Sequence, residues 1–324
     1  MKIAIVGCGA LGSYYGARLC LVEPEVHFLL RSDFATVRAQ GVAVRSGSGD
    51  FTARPHAAQT PEAIGVCDLV VIGLKTTANA QFSRLLPPLV GPQTMVVTLQ
   101  NGLGNEEQLA QLFPATQILG GLCFVCLNRI APGVIQHMAH GKVILGEFQR
   151  PALPRTRELA ALLQRAGVAC DVTDNLARAH WEKLIWNIPF NGLGVAGVAG
   201  YDALVDATGP VCAAGPVLPT NQLLAAPRWE TLVRELMGEV ITTANALGLG
   251  VAPELAEKQI ERTRTMGAYK ASTLIDFERR QALELDSMFL EPLRQAQAAG
   301  VAVPRLAALG RVLRQLDPAG ATPP

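Results

Sequence analysis

Residues 1–16, MKIAIVGCGALGSYYG, decide how the rest of the chain is read. Lys2–Val6 is short, apolar and rich in β-branched residues, the make-up of a buried strand. Gly7, Gly9 and Gly12 follow at the spacing G-x-G-x-x-G and open into a helical pattern over Ala10–Cys20. A strand, a glycine turn and a helix in that order build the corner that grips a dinucleotide pyrophosphate. Gly7 permits the tight turn, Gly9 lets the backbone approach the phosphates, and Gly12 lets helix and strand pack closely. The helix start at Ala10 and Leu11 offers unpaired N–H groups and the positive end of the helix dipole.

Outward from that corner, 324 residues exceed one typical domain and suggest two. Hydrophobic residues make up 49% and the formal net charge is +1, so no electrostatic case exists for nucleic acid or an anionic membrane as partner. The chain opens directly on a strand, with no basic and apolar leader pattern, and no apolar run reads as a membrane span. Seven cysteines scattered through apolar segments fit reduced, buried thiols and a cytoplasmic location. Cys123-x-x-Cys126 followed by His137-x-x-His140 imitates zinc-ligand spacing. Leu122–Ile130 and Val134–His140, however, read as strands around the turn Ala131-Pro132-Gly133, and strand residues three apart point to opposite faces. A plain β-hairpin and no metal is the expectation.

Glu25–Leu30 is a second strand, and Arg31-Ser32 stands where an NAD-specific fold places an acid for the ribose 2′-hydroxyl. Arg31 offers instead a cation and a fork of donors for a 2′-phosphate, which favours NADP. The first acid along the chain is Asp33. Asp68–Leu74 and Thr94–Leu99 are continuous apolar runs, typical of parallel strands covered on both faces, and Gln117–Leu122 is a further strand. With helical patterns between them, they predict a doubly wound sheet. Ligands in such sheets lie beyond the carboxyl ends of the strands, which singles out Lys75-Thr76 and Gln100-Asn101-Gly102. Lys75 and Asn101 are therefore candidates for contacting cofactor or substrate.

After a helix near Pro154–Ala166 and a last strand at Cys170–Thr173, helical patterns dominate. The predicted organisation is an α/β Rossmann-type domain over residues 1–173 and a mostly α-helical domain over residues 174–324. In a helix over Asn175–Leu193, Trp181, Leu184, Ile185 and Ile188 form an apolar stripe. Lys183, Asn187 and Asn191 stack on another face beside Trp186 and Phe190. Asn is a poor helix former and an unusual choice for a solvated face, so this row is a candidate cleft lining. Pro189 should kink or end the helix. Gly192–Pro219 reads as a loop or a broken helix, and helices follow at Trp229–Leu247 and Glu254–Thr265. From about Thr273 another helix is expected, with Thr273-x-x-Asp276 as a capping box. Phe277, Gln281, Glu284, Leu285 and Met288 would share one side of it, so Glu284 would enter the apolar face and need a partner, for which Lys183 is the candidate. Residues 316–324 are expected to fray.

Taken together in this order, Gly7-Cys8-Gly9-Ala10-Leu11-Gly12, Arg31, Leu74-Lys75, Gln100-Asn101-Gly102-Leu103-Gly104, Glu182-Lys183-Leu184 through Asn187 to Asn191, and Ser272 followed by Glu284 resemble the ketopantoate reductase family over essentially the whole chain. The resemblance implies a Rossmann domain followed by a helical domain with the active site where they meet, and NADPH-dependent reduction of ketopantoate to pantoate on the way to pantothenate and coenzyme A. It implies Lys183 as the catalytic lysine and Glu284 as its accompanying acid, and Asn187, Asn191 and Ser272 as substrate-binding residues. Lys75 and Asn101 would stand at the cofactor–substrate junction, and Arg31 would meet the 2′-phosphate. Ala78 stands where many members carry Gln, and Gly192–Pro219 departs from the usual Asn-Pro-Leu-Thr-Ala continuation. A related reductase of another 2-oxo or 3-hydroxy acid, or a non-catalytic NADP-binding sensor, therefore stays open beside ketopantoate reduction. The partner expected is a small 2-oxo acid, and a homodimer is the default assembly.

Overall fold

Strand β1 (Ile3–Val6) is buried at every position, as expected of a short β-branched run at the middle of a sheet covered on both sides. The computed structural model describes residues 1–205 and 211–318. The chain divides into two compact units, Met1–Ala179 and His180–Pro324. In the first, β1 leads through α1 (Ala10–Leu19) to β2 (Val26–Leu29), α2 (Phe34–Gln40) and the short strands β3 (Val42–Ser46), β4 (Phe51–Ala53) and β5 (His56–Ala58). There follow β6 (Cys67–Ile72), α3 (Phe82–Leu85), β7 (Val90–Thr98), α4 (Asn105–Ala110), the long pair β8 (Ile118–Ala131) and β9 (Val134–Glu147), α5 (Pro154–Arg165) and β10 (Cys170–Val172).

These strands form one mixed sheet in the order β4-β3-β9-β8-β7-β6-β1-β2-β5, with β10 beside β9. The run β5-β2-β1-β6-β7-β8 is parallel throughout, and the β8–β9 and β3–β4 pairs are antiparallel. Alternate residues feed two cores. Ile3, Ile5, Phe28, Leu69 and Val71 pack with Tyr14 and Tyr15 of α1 and Leu159 of α5, whereas Ala4, Val6, Val70 and Ile72 pack with Phe82, Leu86 and Leu109. The chain leaves β1 for β2 on one side and reaches β6 on the other. The end of β1 is thus the switch point at which such sheets bind ligands.

The second unit is helical. Helix α6 (Leu176–Ala196) starts at Asn175, whose side-chain oxygen accepts the Arg178 N–H at 2.9 Å as an N-cap. After it come α7 (Asp202–Val205), α8 (Thr220–Ala225), α9 (Pro227–Ala246), α10 (Leu255–Arg264) and α11 (Ser272–Glu278). A π-turn over Asp286–Leu290, then α12 (Glu291–Ala298) and α13 (Pro304–Leu316) complete the unit. On α9, Trp229, Leu232, Val233, Leu236, Met237, Val240, Ile241 and Ala244 are buried at helical spacing, the stripe that holds it in the core.

Pro189 does not end α6, which continues to Ala196. An interior proline costs roughly 3 kcal/mol. Against that stand Phe190, Leu193, Val195 and Ala196, all buried beyond or beside it, each large side chain worth roughly 1.5–3 kcal/mol. Of Gly192–Pro219, the first part is a broken helix, with the end of α6, a 3-10 turn at Gly197–Ala199 and then α7, and residues 211–219 form a loop. The expected fraying beyond Leu316 lies, for residues 319–324, outside the described residues. No helix among the described residues is long and apolar enough to cross a membrane. Six cysteines are buried or half-buried free thiols; Cys212 is exposed, unlike the rest.

Candidate active site

The three glycines of the corner do three different things. Gly7 has a φ of +96°, and a Cβ there would lie 2.2 Å from the backbone nitrogen of Leu74, just past the end of β6. A Cβ on Gly12 would lie 2.3 Å from the carbonyl oxygen of Gly7. Both positions are glycine because backbone passes against backbone. A Cβ on Gly9 would meet nothing within 4 Å. The chain therefore leaves open ground beside Gly9, where packing does not need a glycine but a close-lying phosphate would. Helix α1 begins there with no side-chain cap and no acid in its first turn. Its leading N–H groups, those of Ala10 and Leu11 among them, suit an anion. The residues present fit a dinucleotide.

At the end of β2 the side chains of Arg31 and Asp33 behave in opposite ways. Arg31 is exposed, and its guanidinium has no hydrogen bond or ion pair among the described residues. Asp33 is buried and receives Arg129 Nε at 2.8 Å, Arg129 Nη2, the Gly133 N–H at 3.0 Å and the Ser32 hydroxyl at 3.0 Å. Burial opposes ionisation of Asp33, but these hydrogen bonds and the Arg129 charge outweigh it and hold the carboxyl below its usual range.

Lys75 is exposed immediately after β6, and Asn101 is half-buried after β7. A chain of amides links the two loops. Thr98 Oγ1 donates to Gln100 Oε1 at 2.9 Å, and Gln100 Nε2 donates to Asn79 Oδ1 at 2.7 Å. Asn79 Nδ2 then donates to Asn105 Oδ1 at 2.9 Å, and Asn105 Nδ2 to the Asn101 carbonyl at 3.1 Å. Gln100 and Asn105 are buried, so these bonds form away from competing water and hold the backbone at Asn101. Asn79 and Asn105 escape a sequence reading because each bonds across loops. Their only sequence signal is the density of amides around the glycines of Gln100–Asn105.

In the second unit Lys183 is half-buried, and Asn187 and Asn191 are 7% and 2% exposed. The row is not a solvated stripe. Asn191 Oδ1 accepts the Thr273 N–H at 3.0 Å and the Ser272 hydroxyl at 3.2 Å, which ties α6 to the first turn of α11. The capping box expected at Thr273 is absent: the cap position is Ala271, with no side-chain cap of its own, and Asn191 satisfies the helix start instead. The Asn191 amide nitrogen and the whole Asn187 carboxamide make no hydrogen bond among the described residues. Trp186 closes one border of the row, donating from Nε1 to Thr263 Oγ1 at 2.9 Å and lying 5.1 Å from the Phe190 ring.

Glu284 is buried, 6% exposed, but not on the face of one long helix as its spacing suggests. Helix α11 stops at Glu278 and helix resumes at Leu285. Arg280 has a φ of +54°, its N–H bonds the Phe277 carbonyl, and the Gln281 N–H reaches back to that of Asp276. This is a Schellman stop, which glycine normally marks; with arginine in the left-handed position the sequence carries no such sign. The zinc-like motif falls in the β8–β9 hairpin. There His137 Nε2 donates to the His140 carbonyl at 2.8 Å, and Nδ1 shares a hydrogen bond with the Ser46 hydroxyl at 2.9 Å. Among the described residues no three His, Cys, Asp or Glu side chains gather as a metal site.

Comparison with known proteins agrees with this geometry. The family model described as "Ketopantoate reductase PanE/ApbA" matches residues 3–150, and its C-terminal counterpart matches residues 175–317. The 2-dehydropantoate 2-reductase of Nostoc sp. is 36% identical, over 98% of this chain and 95% of its own length. The crystal structure of 2-dehydropantoate 2-reductase from Geobacter metallireducens is 45% identical with a TM-score of 0.88, covering 97% of this chain and 99% of that one. That of the enzyme from Methylococcus capsulatus is 30% identical with a TM-score of 0.85, covering 100% and 99%. With both halves of the chain matched and its fold shared end to end, this protein belongs to the ketopantoate reductase family.

Proposed function

We propose that this protein reduces 2-dehydropantoate (ketopantoate) to pantoate with NADPH, a step toward pantothenate and coenzyme A. Residues 1–173 would form the cofactor domain and 174–324 the substrate and catalytic domain. Gly7, Gly9, Ala10, Leu11 and Gly12 would take the pyrophosphate, Arg31 the 2′-phosphate, and Lys75 and Asn101 the nicotinamide end with the substrate. NADPH, when bound, supplies the hydride. Negative charge then grows on the substrate's carbonyl oxygen, and a Lys183 ammonium beside it would stabilise that charge and donate the proton. Glu284, a buried acid in the same helical unit, would hold the lysine charged and oriented.

The observation that carries the reading is the row on α6: a lysine followed by two buried asparagines with donors to spare. The Asn191 oxygen is engaged by Ser272 and Thr273, so the face it turns to a ligand is its NH2, suited to a carboxylate or carbonyl oxygen. The Ser272 hydrogen is spent on Asn191, so its remaining capacity is to accept, as from the substrate's hydroxyl. Asn187 can do either. A 2-oxo acid that also carries a hydroxyl matches this set.

The test is direct: NADPH oxidation followed by absorbance with ketopantoate, and with pyruvate, 2-oxoisovalerate and phenylglyoxylate as competitors for the assignment. Ketopantoate should give the highest kcat/KM, and NADPH should be preferred to NADH. A higher kcat/KM with another oxo acid would move the assignment to that substrate. No turnover with any of them would leave a cofactor-binding protein without this chemistry.

A further inference from the structure

Asp33 is the first acid past the end of β2, two residues beyond Arg31. Its carboxylate is full. A carboxylate offers about four lone-pair positions, and four donors fill them: Arg129 Nε, Arg129 Nη2, the Gly133 N–H and the Ser32 hydroxyl. Arg129 and Gly133 come from the far end of the β8–β9 hairpin, 96 and 100 residues away in sequence. That hairpin end is docked beside α2: the Gly133 carbonyl accepts the Ala43 N–H at 2.8 Å, and a Cβ on Gly133 would lie 3.4 Å from Val37 of α2. Asp33 also lies close enough to the glycine turn for its charge to raise the pKa of the Cys8 thiol, although burial is the larger cause.

We propose that Arg129 is a specificity-determining residue for the cofactor. By occupying Asp33 it keeps the acid nearest to Arg31 along the chain from accepting a ribose 2′-hydroxyl. It also cancels a negative charge that would repel a 2′-phosphate, and it leaves Arg31, two residues before Asp33, with no ion pair among the described residues. Arg31 stands where an NAD-specific fold places its acid, and the arginine from the hairpin keeps the acid that follows from opposing a 2′-phosphate there. This rests on the reading that the glycine corner and Arg31 bind NADP, and it adds a residue from a distant part of the chain to that reading.

Calorimetric titration with NADPH, NADH, adenosine 2′,5′-bisphosphate and adenosine 5′-monophosphate tests it without turnover. In Arg129→Met, the Kd of NADPH and of the bisphosphate should rise by about tenfold, the size expected for one partly screened unit charge at short range. The Kd of NADH should stay within about threefold or fall, since a freed carboxylate can accept from the 2′-hydroxyl. Adding Asp33→Asn to Arg129→Met should bring NADPH back to within about threefold of the unaltered protein, because the charge is gone. An equal loss for NADPH and NADH in Arg129→Met, or no recovery in the double variant, would overturn the proposal and leave Arg129 a structural tie. Should Arg129→Met fail to fold, Asp33→Asn alone decides. It should keep NADPH tight and NADH weak, and a tenfold loss of NADPH there would equally overturn the proposal. If the unaltered protein binds the bisphosphate no better than the monophosphate, it is the NADP reading itself that fails, and the proposal with it.

Discussion

The glycine corner of the first unit is built from backbone, whereas the polar row of the second is built from side chains that hold other chain segments. At Gly7 and Gly12 nothing but hydrogen fits, because a Cβ would press on the Leu74 nitrogen or the Gly7 carbonyl. On α6, Asn191 sits where many residues would fit a helix, yet its oxygen satisfies the start of α11. The difference teaches what each region can tolerate. A backbone site is broken by adding atoms, and a side-chain site by removing them.

The sharpest way to separate the two is Lys183→Ala. If the row carries the chemistry and the corner the cofactor, kcat should fall by about 100-fold or more, the size of a lost general acid, while the Kd of NADPH by calorimetry stays nearly unchanged. Near-normal turnover would show that the row does not carry the chemistry. The next effect divides the corner itself. Gly12→Ala puts a Cβ 2.3 Å from backbone and should destabilise the fold by about 1–3 kcal/mol, as overpacking does, along with weaker NADPH binding. Gly9→Ala has open space around its new methyl, so its melting temperature should hold while NADPH affinity drops by about tenfold, a cost due to the ligand alone. A falling melting temperature in Gly9→Ala would show that Gly9 is structural too.

Asn191→Ala removes the acceptor of the buried Thr273 N–H and should cost about 1–3 kcal/mol by chemical denaturation. Asn191→Asp retains an acceptor there and should recover part of that loss. The smallest effect concerns Glu147, at the end of β9, whose fully buried side chain receives Arg150, Arg155 and the Thr156 hydroxyl. Burial opposes its ionisation, but those partners prevail and hold it below the ordinary 4.5. A carboxylate lowered by folding stabilises above its unfolded pKa and loses that contribution as pH falls through the folded one. Glu147→Gln should therefore cost about 1 kcal/mol at pH 7, and the gap in melting temperature should close as pH drops below about 4.5. A constant gap down to pH 3 would contradict the assignment.

Much of this molecule is legible along the chain because its signals are local. Strand, glycine turn and helix stand within sixteen residues, and each is read by a short period or a spacing. The stripe Trp181, Leu184, Ile185 and Ile188 is legible for the same reason, and all four are buried. Pro189 does not end its helix, because the penalty of an interior proline is local, whereas the burial that offsets it comes from the packing of Leu193, Val195 and Ala196. The helical period that draws attention to Glu284 does not exist in the fold, since Arg280 takes the turn that glycine usually signals. Its burial is real, but it comes from the segment between α11 and the π-turn.

Local signals along the chain suffice for the dinucleotide corner that opens an α/β unit, for the helical unit that follows, and for the lysine and asparagines that share a helix face. What those polar groups are bonded to follows from the folded chain alone. Ser272 meets Asn191 across 81 residues, Asp33 meets Arg129 across 96, and Asn79 joins Asn105 across 26. Secondary structure follows from periods and steric limits that neighbouring residues impose on one another. These pairings of buried polar groups instead follow from the need to satisfy each donor and acceptor within the finished fold, and for these three no short stretch of sequence contains both partners.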